Sequence, residues 1–162
     1  MAPTTWPSRD STTRILPTNS VLLDDRLLVA HLLGAAAAIP RSSALHTTGY
    51  WYYRACRAAV AGAAGQLSGP FAALQPDEQA RAIQGLLELP ERIALPESRR
   101  LVPEMAEVAY RRPQLNLLNV EATAAARMLQ ARVLLSPASA RGILAATLDD
   151  EGVAWQTVAL AS

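Results

Sequence analysis

Residues 21–33 have the sequence VLLDDRLLVAHLL. Val21–Leu23 is a short apolar run that predicts a buried strand, and the acidic pair Asp24-Asp25 follows it directly. Leu27–Leu33 has the apolar spacing of a helix that packs on a core. A carboxylate at the carboxyl end of the first strand is where α/β domains place metal-binding or catalytic groups. The segment therefore predicts an α/β fold and offers Asp24 as its first candidate site residue.

The acidic residues are unevenly distributed along the chain. From Arg26 through Pro76 there is no Asp or Glu. A hydrolytic metal site needs several carboxylates that converge on one point. The sequence supplies one carboxylate at the expected place, so it indicates a fold more firmly than it indicates an activity.

Composition favours one globular domain. The chain has 162 residues, of which 51% are hydrophobic and 18% charged, which argues against disorder over most of its length. We predict a flexible tail at residues 1–14 and a single domain over 15–162. A net charge of +1 lacks the excess of positive charge that strong nucleic-acid binders have, although all fifteen basic residues are Arg. The pairs Arg99-Arg100 and Arg111-Arg112 are expected on solvated faces.

The single cysteine, Cys56, excludes an internal disulfide and fits a reducing compartment. No segment has the roughly 18 consecutive apolar residues of a membrane helix. The first residues lack the basic-then-apolar order of a signal peptide. We therefore expect a cytoplasmic protein.

Strand and helix patterns alternate along the chain. Strands are predicted at 20–23, 44–48, 92–95, 132–135 and 153–160. Helices are predicted at 25–38, 49–64, 76–87, 103–111, 117–130 and 139–148, with Pro103 in a first helical turn. This alternation indicates one three-layer α/β/α domain with a central, mainly parallel sheet of four or five strands.

With this order of elements, the chain resembles the PIN domain family, small α/β nucleases many of which are toxins of bacterial toxin–antitoxin pairs. VLLDDRLLVAHLL is similar to the family's opening strand, acid and first helix. Residues 117–135, LLNVEATAAARMLQARVLL, are similar to its late helix and strand. In the family that helix normally begins with an Asp, and a further acid follows the strand. The resemblance implies a PIN-like fold over roughly residues 20–160.

The resemblance also implies a cluster of three or four carboxylates that hold Mg²⁺ or Mn²⁺ and activate water to cut RNA. Asp24 matches the first acid. The remaining positions hold Arg54, Asn119 and Pro137, which follows Ser136. Mg²⁺ needs hard oxygen ligands, and an Arg nearby would repel it. We therefore expect a degenerate pocket in which Asp24 and Asn119 are what remains of the catalytic set.

Two further acids lie near these positions, and several structural roles stay open. Asp25 is one residue beyond the strand end, and Glu121 lies about 200° around a helix from Asn119. We hypothesise that Arg54 occupies the former metal position and pairs with Asp24. As alternatives, Asp24 is a helix N-cap and Asn119 caps the late helix or bonds to backbone.

Four consecutive aromatic residues, Tyr50–Tyr53, lie on one predicted helix beside Arg54 and Arg57. Consecutive helical residues cannot share a face, so some are expected in the core and some at a surface. An interface is the favoured use of the exposed ones, and base stacking is the alternative. His31, His46 and Cys56 lack the paired spacing of a zinc site.

The sequence favours a non-catalytic binding or regulatory module that self-associates or binds a partner protein, with no cofactor. One alternative is a Mg²⁺- or Mn²⁺-dependent ribonuclease with rearranged ligands drawn from Asp24, Asp25, Asn119 and Glu121. Another is an RNA-binding protein that does not cleave, which requires arginines concentrated near Tyr50–Tyr53. Ser136, Arg54 and Arg57 complete the candidate pocket.

Overall fold

A computed structural model describes residues 19–34, 39–41, 43–63, 71 and 74–160. The predicted tail, residues 1–14, lies outside this part of the chain, and the domain boundary stays a prediction. Among the described residues, no helix has the length and apolar content needed to cross a membrane.

The described residues contain a sheet of five parallel strands with the spatial order β3-β2-β1-β4-β5. The strands are β1 (Ser20–Leu23), β2 (Ala44–Thr47), β3 (Ile93–Ala94), β4 (Arg132–Leu135) and β5 (Trp155–Thr157). All strands point the same way, so their carboxyl ends meet at one edge. The chain order reverses between β1 and β4, and that is where open α/β sheets place their ligand sites.

Helices cover both faces of the sheet. They are α1 (Asp25–Leu32), α2 (Gly49–Ala63), α3 (Pro76–Leu87), α4 (Ser98–Arg111), α5 (Leu117–Leu129) and α6 (Ile143–Asp150). One core packs α1, α2 and α3 against the sheet and includes Leu28 and Leu86. The other packs α4, α5 and α6 against the opposite face, includes Val108, and also takes in Trp51 from the start of α2. The predicted three-layer α/β/α fold is confirmed.

Strands β2, β3 and β5 are shorter than the predicted 44–48, 92–95 and 153–160, and one helix ends early. Helix α1 stops at Leu32, not Ala38, and the chain turns through Gly34, whose φ of +74° suits glycine. The rest of the predicted helix, residues 35–38, lies outside the described part.

Helix α4 begins at Ser98, five residues before the predicted start, so Pro103 is inside the helix. A proline there removes one backbone N–H, and the freed carbonyl belongs to Arg99. Arg99 is exposed, so water can satisfy that carbonyl. The predicted helix over 139–148 is also divided, because Gly142 separates a 3₁₀ turn (Ser139–Arg141) from α6.

Glu151 forms ion pairs that connect α4, α5 and α6. Glu151, just after α6, has a side chain only 4% exposed and accepts from Arg111, Arg112 and Arg127 at 2.8–3.1 Å. Arg111 is exposed, as predicted, whereas the side chain of Arg112 is 25% exposed and lies partly buried beside its acidic partners. These arginines join the end of α4 to α5 and α6, contacts that the local sequence does not reveal.

Candidate functional site at the carboxyl edge of the sheet

Asp24 ends β1 and is fully buried. Its Oδ1 accepts from the backbone N–H of Leu27 at 2.9 Å, which confirms the helix N-cap interpretation. Its Oδ2 accepts from both the backbone N–H and the hydroxyl of Ser136, at 2.7 Å each. A carboxylate offers about four lone-pair positions, so three of them are already used. Asp24 thus joins the start of α1 to the end of β4.

Asp25, and not Asp24, is the partner of Arg54. The Nε atom of Arg54 lies 3.3 Å from Oδ2 of Asp25, and the two side chains are 52% and 6% exposed. The hypothesis of an Arg54–Asp24 pair is wrong, because the bonds to Leu27 and Ser136 take up the Asp24 carboxylate. The acid that pairs with α2 is therefore Asp25, the next residue along the chain.

Burial and the neighbouring charged groups shift the pKa of Asp25 in opposite directions. Burial raises the pKa of Asp25 above its ordinary value of 3.8, and the nearby Asp24 carboxylate raises it further. The charge of Arg54, a backbone hydrogen bond from Arg26 and the charge of Arg26 lower that pKa, but burial is the largest cause and the net direction is upward. The ion pair therefore offsets only part of the cost of burying this carboxylate.

The raised pKa gives Asp25 a testable pH dependence. Above pH 3.8 and below the folded-state pKa, the folded protein holds the proton more tightly than the unfolded chain does. The stabilisation that the folded state gains by binding the Asp25 proton is therefore lost as the pH rises. We expect the unfolding free energy of wild type, relative to Asp25→Asn, to fall from about pH 3 to about pH 7 in urea titrations. A difference that rises with pH would mean that attraction to Arg54 outweighs burial.

Glu121 caps the start of α2. It is 7% exposed, its Oε1 accepts from the N–H of Gly49 at 3.1 Å, and its Oε2 accepts from the N–H of Tyr50 at 2.8 Å. A Cβ added to Gly49 would lie 3.0 Å from Oε1, so a glycine allows this close approach. Thr48 completes the cap by accepting from the N–H of Trp51 at 3.1 Å. The first N–H groups of a helix have no partner within it, so the Glu121 carboxylate supplies acceptors for two of them and lies at the positive end of the helix dipole.

The remaining predicted site residues have separate places. The cap of α5 is Asn116, whose Oδ1 accepts from the N–H of Asn119 at 2.9 Å, so Asn119 itself is not the cap. Asn119 is buried, and its carbonyl accepts from Thr123. Pro137 is exposed. Among the described residues, no hydrogen bond or ion pair links Asn119 or Arg57 to the Asp24–Asp25 cluster.

The four consecutive aromatics divide between core and surface, as predicted. Trp51 is buried, and the Tyr52 hydroxyl donates to the carbonyl of Leu86. Tyr50 and Tyr53 are exposed, and Tyr53 retains 58% of its accessible surface.

The residues at this edge do not fit a divalent cation of the kind that the PIN resemblance implies. No group of three or more His, Cys, Asp or Glu with metal-binding geometry occurs in the part of the chain described. Asp24 already accepts three hydrogen bonds, and Asp25 faces a guanidinium. A hard cation needs several free oxygen ligands and is repelled by Arg54. Sequence reasoning included the N-cap bond of Asp24, but it missed the contacts of Asp24 with Ser136, of Asp25 with Arg54 and of Glu121 with the start of α2.

The all-parallel five-stranded sheet with helices on both faces is consistent with a PIN-like α/β fold. A solved structure with a similar fold is that of VapBC-1 from nontypeable Haemophilus influenzae, with a TM-score of 0.51. The two chains share 13% identity, and the match covers 85% of this chain and 97% of the other. No family model and no curated protein matches the sequence. At this identity the similarity shows the fold alone.

Proposed function

We propose that this protein is a PIN-like domain that does not cut RNA and serves as a binding or regulatory module. The state of Asp24 gives the strongest support. This carboxylate occupies the first acid position, yet its oxygens hold the N-terminus of α1 and the residue after β4. A group that ties two backbone segments together is engaged in the fold before any ligand arrives.

The chemistry of phosphodiester hydrolysis explains why the other residues do not compensate. Cleavage requires an activated water and positive charge held against the phosphate, which metal-dependent nucleases supply through cations bound by carboxylates. Here Asp25 is paired with Arg54, and Glu121 holds the N–H groups of Gly49 and Tyr50. A nuclease with rearranged ligands would have to break one of these contacts to recruit each acid.

A protein partner or a second copy of the chain is the favoured ligand class. The PIN resemblance implies proteins that act in toxin–antitoxin pairs, and such pairs bury one protein against another. Large apolar side chains are exposed on two helices, including Tyr53 and Val60 on α2 and Val102 and Tyr110 on α4. Aromatic residues are enriched at protein interfaces.

Calorimetric titration of Mn²⁺ into wild type, with Asp24→Asn as control, tests this function. We expect no binding heat in either protein, because no set of free carboxylates is available. We also expect no Mn²⁺-dependent cleavage of single-stranded RNA. Binding and cleavage that are both lost in a folded Asp24→Asn variant would overturn the proposal and establish a ribonuclease.

RNA binding without cleavage is a second candidate, favoured by the exposed face of α2. Tyr50, Tyr53 and Arg57 are spaced by three and four residues, so they share one face of the helix, and all three are exposed. Aromatic rings beside a guanidinium can stack on bases. Binding of an oligouridylate that weakens with salt and in Tyr53→Ala, but not in the control Tyr110→Ala on α4, would support this function.

A further inference from the structure

A shallow cleft of about 360 Å³ lies at the carboxyl edge of the sheet, beside the Asp24 cluster. Ser136 and two arginines, Arg26 of α1 and Arg141 of the 3₁₀ turn, line it. The remaining described lining residues are small or apolar: Pro137, Ala138, Ala159 and Leu160. The cleft thus combines two guanidinium groups with an apolar lining.

Neither arginine has an acid within ion-pairing distance among the described residues, although the charge of Arg26 acts on Asp25 through space. Arg54, by contrast, is paired with Asp25. Asp24 does not line the cleft, and its carboxylate accepts hydrogen bonds from Leu27 and Ser136. Within the described part of the chain, two guanidinium groups without a direct ion pair therefore line the cleft, where the PIN resemblance implies a negatively charged pocket.

We propose that this cleft binds an acidic, apolar peptide segment of a partner protein. A carboxylate of the segment pairs with Arg26 and Arg141, since guanidinium groups bind carboxylates through paired hydrogen bonds. Neighbouring apolar side chains of the segment contact Pro137 and Leu160. The proposal rests on the non-catalytic binding function argued above and names the chemistry of its ligand.

Single-stranded RNA fits this cleft less well than a peptide does. Base stacking needs aromatic rings, and none occurs among the described residues that line the cleft. The exposed tyrosines of α2 are not among those residues either. The volume is at the small end for a ligand site, which suits one or two side chains of a peptide.

Fluorescence anisotropy with a labelled short peptide of alternating Glu and Leu tests the proposal, with the matched Gln–Leu peptide as comparison. We expect wild type to bind the Glu peptide about tenfold more tightly than the Gln peptide. The affinity should fall as salt rises from about 50 to about 300 mM.

Two double variants locate the binding. Arg26→Gln with Arg141→Gln should weaken the Glu peptide about tenfold or more, since both charge partners are lost. Arg99→Gln with Arg100→Gln removes the same charge from the exposed start of α4 and should change affinity by less than about twofold. Circular dichroism and urea unfolding of each variant show that the comparison is between folded proteins.

Three results would overturn the peptide assignment. They are equal affinity for the Glu and Gln peptides, equal loss in both double variants, and tighter binding of an oligouridylate that the Arg26/Arg141 double variant loses. The last result would assign the cleft to nucleic acid. These outcomes are separate from Mn²⁺-dependent RNA cleavage, which would overturn the proposed function itself and is measured on the same proteins.

Discussion

Asp24→Ala is expected to lower the free energy of unfolding by about 3–5 kcal/mol. The substitution removes the N-cap bond to Leu27 and both bonds from Ser136, and it leaves buried donors without acceptors. An unsatisfied buried donor costs more than the net value of the bond itself, and bonds to a charged acceptor are the stronger class. Urea unfolding monitored by circular dichroism measures the loss.

Asp24→Asn separates the role of the oxygen atoms from that of the charge. Asn retains an acceptor for the Leu27 N–H, but its NH₂ group would face the N–H of Ser136, so we expect a smaller loss of about 1–2 kcal/mol. A loss below about 1 kcal/mol in Asp24→Ala would contradict the structural role, since it would leave the three hydrogen bonds without energetic weight.

Glu121→Ala is expected to destabilise the protein by about 2–4 kcal/mol. It leaves the N–H groups of Gly49 and Tyr50 without their carboxylate and removes the two hydrogen bonds that tie α5 to the start of α2. The loss of negative charge at a helix N-terminus adds to the effect. Urea unfolding measures the total, and faster exchange of the Gly49 and Tyr50 amides locates it.

Two controls accompany the Glu121 measurement. Glu91→Ala removes an exposed acid and should change stability by no more than about 0.5 kcal/mol. Glu121→Gln keeps one acceptor oxygen but presents a donor to the second N–H, so an intermediate loss is expected. Equal stability of Glu121→Ala and Glu91→Ala would show that the α2 cap has no energetic weight.

Together these substitutions test whether the acids at the carboxyl edge of the sheet stabilise the fold or bind metal. Asp24 and Glu121 each hold the amino end of a helix, and Asp25 is tied to Arg54. Stability losses at both caps, with no Mn²⁺ binding, would mean that these carboxylates stabilise the fold and do not bind metal.

Local sequence patterns predicted most of the fold because they depend on neighbours in the chain. The bounds of β1, β4 and α3 follow from apolar runs and from the acids after Pro76, and the structure has them as predicted. The start of α4 was missed because Pro103 is usually a first-turn residue, yet here it lies inside the helix, opposite the exposed residue Arg99. Predicted ends of α1 and α6 failed at Gly34 and Gly142, where a turn overrides helix-forming neighbours.

The sequence by itself determined the alternating α/β order. It offered the N-cap at Asp24 as one of two alternatives, and the lack of acids at three further positions rests on the PIN resemblance. Only the tertiary structure decided which acid Arg54 meets, that Ser136 binds Asp24 across 112 residues, and that Glu121 caps a helix about 70 residues away. The physical reason is the parallel sheet. It brings the carboxyl ends of distant strands to one edge, and a carboxylate there bonds to whichever donors the packing places nearest.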